Sequence, residues 1–332
     1  MKLLFAPLKG LTDAHFRSFY FKHFGGFDLA VAPFLLSSED EALKAQREGT
    51  SLNVPLVPQL LGNSAEGLAS FSRLLKDHGF SRFNLNLGCP APVVIKKSKG
   101  AALLAEPDYL LSLLEDLCER SALPFSVKTR LGYNNIDELR PQLKKWRTLP
   151  IEELILHGRS ARQVYKGEVH REEMIRCAQE WGKPIIYNGD VTTLKGYEEI
   201  VEEMGKLISG VMIGRGIFYN PFIAEEIRKG SSLPNEEKRE RFIEFHRDIA
   251  GEMGTRPKSF ARLKGLWSYF THFARIPAEE LAKLKRLDDP ALFSKETEKW
   301  VIKTYPSRRT ISSGRATSSR RSAPNSLGIS RE

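Results

Sequence analysis

Eight times along this chain a short apolar segment of strand length recurs, most of them followed by a stretch with helical spacing, and this alternation constrains the fold more than any single motif. The segments are Leu3–Leu8, Phe27–Phe34, Val54–Leu61, Phe83–Leu87, Phe125–Thr129, Glu153–His157, Pro184–Asn188 and Gly210–Ile213. Amphipathic stretches such as Ala65–Lys76, Asp108–Cys118, Glu172–Trp181 and Leu194–Met204 lie between them. Repeated βα units build parallel sheets, and eight of them close into a (β/α)₈ TIM barrel. After about residue 230 the pattern becomes charged and helical, with helices predicted over Glu236–Gly251, Pro257–Phe273, Ala278–Leu284 and Pro290–Lys303. The expected organisation is a barrel over 1–230, a small helical domain over 235–303, and a Ser/Arg-rich tail over 306–332 whose composition predicts disorder.

Composition narrows the class. With 332 residues, 41% of them hydrophobic, the chain can bury a large core. No apolar run approaches the roughly 20 residues of a membrane span, and Lys9 follows too soon after Met1-Lys2-Leu3-Leu4-Phe5 for a signal peptide. A cytoplasmic protein without a membrane anchor is expected, and nothing in the sequence demands more than a monomer. Three scattered cysteines, Cys89, Cys118 and Cys177, fit neither a disulfide framework nor a metal site, so no metal is expected. The net charge is +10, but the last thirty residues hold seven Lys/Arg and one Glu, so bulk charge says little about the folded part. The local cluster Lys96, Lys97 and Lys99 is more informative because it follows the most chemical-looking segment of the chain.

In such barrels the active site lies where strands end and βα loops begin. The residues at those places are Pro7-Leu8-Lys9-Gly10, Gln59, Asn86-Leu87-Gly88-Cys89-Pro90, Lys128-Thr129-Arg130, His157-Gly158-Arg159, Asn188-Gly189-Asp190 and Gly214-Arg215-Gly216. Gly214-Arg215-Gly216, with Asn188-Gly189-Asp190 beside it, suits a phosphate group at the last two strands. A lysine in an apolar strand is costly unless it meets an anion, which leaves Lys128 two roles: a Schiff-base amine, or a fixed positive charge against a reduced flavin. Cys89, between a permissive glycine and a rigid proline, is a nucleophile or a proton donor; an unperturbed thiol, with a pKa of about 8.5, is mostly protonated at neutral pH. Cys118 and Cys177 fall in helical stretches and read as structural.

Seven ordered blocks resemble the tRNA-dihydrouridine synthases: Ala6–Asp13, Asn84–Pro90, Gly100–Leu104, Ser126–Gly132, Leu156–Arg159, Asn188–Asp190 and Val211–Gly216. Leu8 departs from the methionine usual after Ala-Pro in that family. The resemblance implies an FMN-dependent oxidoreductase that reduces the C5–C6 bond of uridines in tRNA, with NADPH or NADH re-reducing the flavin. It implies that Pro7, Leu8, Lys9, Gln59, Lys128 and His157 surround the flavin ring, and that Asn188, Gly189, Asp190, Gly214 and Arg215 hold its ribityl-phosphate end. Asn86, Cys89 and Tyr165 would face the target uracil, hydride passing from flavin N5 to C6 and a proton from Cys89 to C5. Turning the base out of its stack costs a few kcal/mol, and Lys96, Lys97, Lys99, Arg262 and Lys264 are expected to offset that cost through tRNA phosphates. A flavin barrel acting on a small pyrimidine, a Lys128 aldolase and a non-catalytic RNA-binding barrel are the competing readings.

Overall fold

The computed structural model describes residues 1–35 and 38–306, so the Ser/Arg-rich tail from residue 307 lies outside the described residues. Among the described residues there are nine parallel strands: β1 (Lys2–Phe5), β2 (Leu29–Val31), β3 (Leu56–Val57), β4 (Gln59–Leu60), β5 (Phe83–Leu87), β6 (Phe125–Gly132), β7 (Leu154–Ser160), β8 (Ile185–Asn188) and β9 (Ile208–Ile213). Their order in the sheet is β3-β2-β1-β9-β8-β7-β6-β5-β4.

The ends of that order are two halves of one expected strand, Val54–Leu61, parted at Pro58. Proline has no N–H to give a ladder, whereas its carbonyl still accepts from the Asn84 N–H at 2.9 Å. β3 therefore pairs with β2 and β4 with β5, so that chain continuity through Pro58 closes eight βα units into a barrel. Side-chain caps set where several helices begin: Asp13 accepts from the Phe16 N–H, Ser64 from Gly67 and Thr193 from Gly196.

Alternation along the strands fills the barrel interior with two sets of residues. Leu4, Ala6, Val31, Val57, Ile155, Ile186 and Met212, from six different strands or their ends, form one buried apolar cluster, a contact set that only the inside of a barrel allows. Other inward residues are polar: Gln59, Asn84, Asn86, Ser126, Lys128, His157 and Asn188. The apolar cluster plugs the barrel, and of the polar residues Gln59, Asn86, Lys128, His157 and Asn188 line a cavity, with Asn84 and Ser126 buried behind them.

Two strands run further than the sequence suggested. β6 continues three residues past Thr129, and β7 three past His157. Period-two alternation then turns Arg130 and Arg159 towards the same side as Lys128 and His157.

Four helices close the described chain, at Asn235–Met253, Pro257–Ala274, Ala278–Lys285 and Pro290–Thr304. Their aromatic residues pack against the barrel: Phe245 meets Phe16 and Phe24, and Phe270 meets Phe218. Buried His246 ties three of the helices together, its Nδ1 accepting from Trp267 and its Nε2 facing Ser294 and Thr297. No helix among the described residues is long and apolar enough to cross a membrane.

Candidate active site

A cavity of about 750 Å³ opens at the carboxyl ends of the strands. Its walls include Pro7, Leu8, Lys9, Gln59, Asn86, Cys89, Lys128, His157, Tyr165, Asn188, Gly189, Asp190, Gly214 and Arg215, residues that stand up to 208 positions apart in the chain. Ala6, Pro7, Leu8, Pro33 and Phe34 supply apolar lining, with Lys9 Nζ 4.7 Å from the centre of the Phe34 ring. Ligand pockets span roughly 300–1,000 Å³, so the space suits a cofactor-sized molecule.

Cys89 is half-buried in the loop after β5, packed near Phe34, Leu61 and Val94. Asn86 Oδ1 accepts from the backbone N–H groups of both Gly88 (3.0 Å) and Cys89 (2.9 Å), which fixes the turn that carries the thiol. The Cys89 carbonyl in turn accepts from the Ala101 N–H at 3.1 Å. Gly100 makes that approach possible: its φ is +60°, and a Cβ there would lie 2.9 Å from the Cys89 oxygen and 2.9 Å from the Val94 side chain. The other two cysteines differ. Burial pushes the Cys118 thiol up to about 11 and the Cys177 thiol up to about 12, which keeps both protonated and unreactive.

Five cationic side chains line the cavity, Lys9, Lys128, Arg130, Arg159 and Arg215, against the single carboxylate of Asp190. Lys128 donates to the neutral Asn188 Oδ1 at 2.8 Å, and Asn188 Nδ2 is spent on the Met212 carbonyl. Burial, and then repulsion from Arg130, lower the Lys128 pKa to about 7. Burial also raises the Asp190 carboxyl, but hydrogen bonds and attraction from Arg159 and Arg215 outweigh it and bring the pKa below the usual value. His157 is held neutral by burial and by Arg130, Lys128, Arg159 and Arg215 around it. Its Nε2 lies 3.4 Å from an Arg159 nitrogen that can only donate, which leaves the ring proton on Nδ1. Two guanidinium groups approach the Tyr165 ring, Arg215 at 4.7 Å and Arg130 at 5.6 Å from its centre.

Arg130 and Arg159 received no role from the sequence, because the predicted strands stopped at Thr129 and His157. Both are almost wholly buried. Arg130 donates to the carbonyls of Gly88 (2.8 Å) and Ser160 (3.0 Å), joining the Cys89 loop to the end of β7. Arg159 holds the Gly167 carbonyl at 2.8 Å and pairs with Asp190, anchoring the loop that presents Tyr165. The signal was available: charged residues at i and i+2, in Lys128/Arg130 and His157/Arg159, are strand alternation continued.

The five residues expected at tRNA phosphates do not line the cavity. Lys96 and Lys97 are exposed and Lys99 half-buried in the turn after the Cys89 loop, with the Lys97 carbonyl held by Asn63. Arg262 lies 2.6 Å from Asp13, and Lys264 lies 3.4 Å from Asp288 and above the Phe260 ring. Among the described residues no group of three His, Cys, Asp or Glu side chains is placed to hold a metal ion.

The model of the family described as dihydrouridine synthase (Dus) matches residues 4–298. A "probable tRNA-dihydrouridine synthase" of Rhizobium leguminosarum bv. phaseoli is 28% identical over 294 residues, covering 87% of this chain and 92% of the relative. A protein of the same description from Staphylococcus aureus (strain COL) is 33% identical over 237 residues, covering 67% of this chain and 70% of that one. Among solved structures, histamine dehydrogenase from Rhizobium sp. 4-9 superposes with a TM-score of 0.52 at 11% identity, over 76% of this chain and 48% of that one, a likeness of fold alone. The chain belongs to the dihydrouridine synthase family, oxidoreductases that act on uridines of tRNA.

Proposed function

We propose that this chain reduces the C5–C6 bond of uridines in tRNA with FMN as bound cofactor and NADPH, or NADH, as the source of electrons. The observation that carries the reading is the composition of one cavity: a thiol on a pinned loop, apolar lining, and five cations against one carboxylate. That donor set fits FMN. The apolar lining of Pro7, Leu8 and Phe34 matches a ring, and Arg215, beside the open backbone of Gly189 and Gly214, matches a phosphate. Lys9, Gln59, Lys128 and His157 would surround the ring, with Asn188 and Asp190 towards the ribityl-phosphate end.

When bound, FMN supplies the hydride that N5 delivers to C6 of uracil. The chain's own residues do the rest. Hydride addition leaves negative charge on the C5 side of the uracil, and Cys89 would be the acid that neutralises it by giving its proton to C5. Asn86 holds the loop that aims this thiol and faces the base with its remaining amide N–H. Tyr165, partly exposed beside Arg130 and Arg215, would meet a base turned out of its stack. Lys128 holds a positive charge at the cavity floor where an anionic ring needs one. A lysine with a lowered pKa also suits a Schiff-base amine, but family membership and the thiol favour the reductive role.

The barrel, residues 1–230, would carry the cofactor, and the helices of 235–303 would help to seat the RNA. Lys96 and Lys97 are free to meet phosphates, with Lys99 beside them, whereas Arg262 and Lys264 would first exchange Asp13 and Asp288 for them. The test is to reconstitute the purified protein with FMN and measure dihydrouridine in unmodified tRNA with NADPH and with NADH. Product that requires both FMN and a nicotinamide supports the reading; product formation without flavin, or none with it, overturns it.

A further inference from the structure

Four buried amide and hydroxyl side chains form one directed chain of hydrogen bonds across three strands and end at the Cys89 loop. Asn86 Nδ2 donates to Gln59 Oε1 (2.8 Å), Gln59 Nε2 to Asn84 Oδ1 (2.7 Å), and Asn84 Nδ2 to Ser126 Oγ (2.8 Å). Asn84 and Gln59 are fully buried, and Ser126 and Asn86 nearly so.

The direction of this chain is forced. The backbone groups of Gly88 and Cys89 can only donate, so Asn86 must turn its oxygen to them and its nitrogen to Gln59. Gln59 must then meet Asn86 with oxygen and Asn84 with nitrogen, and Asn84 must meet Gln59 with oxygen and Ser126 with nitrogen. Turning Gln59 or Asn86 over would set donor against donor and acceptor against acceptor, and turning Asn84 over would set its nitrogen against that of Gln59, in a dry site where an unmade bond costs far more than a normal exchange of partners. Asn86 Oδ1 thereby has both lone pairs filled, and Gln59 Oε1 is turned to Asn86. What these two residues have left for the cavity they line is an N–H each, a pair of donors suited to the ring carbonyl oxygens of a flavin or a uracil.

From this we infer that Asn84 and Ser126, which do not line the cavity, are positioning residues: they anchor Gln59 and Asn86, whose direction the Cys89 loop sets, with an N–H of each towards the ligand, and through Asn86 they hold the Cys89 thiol in place. The inference rests on the acid role given to Cys89 above. Catalytic geometry tolerates little displacement, about 1 Å being enough for a 100-fold loss.

Asn84→Leu keeps the volume and breaks both bonds. Asn84→Asp keeps an oxygen facing Gln59 whatever its protonation, because the Ser126 hydroxyl can either accept from it or donate to it. Two readouts separate this role from a general loss of stability. In flavin-free protein, iodoacetamide labelling followed by mass spectrometry gives the alkylation rate of Cys89, with the unreactive Cys118, which would label only on general unfolding, as the check on the fold; in reconstituted protein, turnover gives kcat and KM for tRNA. Asn84→Leu is expected to speed Cys89 labelling at least threefold with Cys118 unchanged, and to lower kcat by about 10- to 100-fold at unaltered KM. Asn84→Asp should stay near wild type in both. Should Asn84→Leu fail to fold, Ser126→Ala removes only the terminal acceptor and should show the same pattern at about 3- to 10-fold in kcat. Wild-type labelling and turnover in the variants, or equal impairment in Asn84→Asp and Asn84→Leu, would overturn the inference. If the wild-type protein made no dihydrouridine, the proposed reaction would fall while the labelling comparison still decided whether the relay holds Cys89.

Discussion

Lys128 should take up a proton when an anionic cofactor enters the cavity, and the size of the effect follows from its surroundings. Without a ligand its ammonium meets only a neutral oxygen, Asn188 Oδ1, while burial and Arg130 hold its pKa at about 7. The fraction protonated is then about nine-tenths at pH 6, half at pH 7 and one-tenth at pH 8. An anion close to Nζ restores the charged form. Binding should therefore consume about 0.1, 0.5 and 0.9 of a proton at pH 6, 7 and 8 through this residue alone. Because the bound state holds more protons, linkage requires affinity to weaken as pH rises, by about tenfold from pH 6 to pH 8. Calorimetric titration of flavin-free protein with FMN, in buffers of different ionisation enthalpy, measures the uptake directly. The FMN phosphate titrates near pH 6 by itself, so the quantity to compare is the difference between wild type and Lys128→Met. Equal uptake in the two proteins, or a difference that shrinks as pH rises, would refute the placement of an anion at Lys128.

Gly100→Ala should destabilise the protein by about 1–2 kcal/mol for the left-handed backbone and by about 1–3 kcal/mol more for crowding the Cys89 carbonyl and Val94. Gly79, at φ +81° with nothing within 4 Å of a Cβ, is the control: denaturant unfolding of Gly79→Ala should show the first cost alone, with dihydrouridine formation untouched. A Lys96→Ala, Lys97→Ala, Lys99→Ala triple variant should weaken tRNA binding and flatten the slope of log affinity against log salt by about 2–3, each phosphate contact contributing about 0.7–0.9. A slope equal to wild type would remove these lysines from the RNA surface.

Much of this was legible in the residues because strands and their loops leave strong local marks. Pro58 sits inside an apolar run and still permits a barrel, since the chain itself bridges the gap its missing N–H opens. Asn84 and Asn86, two apart in an otherwise apolar strand, already announced an inward polar face. The Cys89 loop was visible from its Gly and Pro neighbours. Less legible were features set by pairing across strands. Arg130 and Arg159 were quoted in motifs but given no work, because where β6 and β7 end depends on their neighbours rather than on local propensity. Arg262 and Lys264 looked like free cations until tertiary structure brought Asp13 and Asp288 beside them. The bonds that join Asn84 and Asn86 to Gln59 and Ser126 on neighbouring strands leave no mark in any one strand.

The central claim is that Cys89 protonates the uracil after hydride arrives. Its most direct test is a single turnover: protein reconstituted with FMN and reduced beforehand is mixed with unmodified tRNA, and dihydrouridine is followed in wild type and Cys89→Ala. Removing a general acid should slow product formation by about 10²- to 10⁴-fold while reduction of the bound flavin by NADPH proceeds at the wild-type rate. Product formation in Cys89→Ala at the wild-type rate would contradict the account.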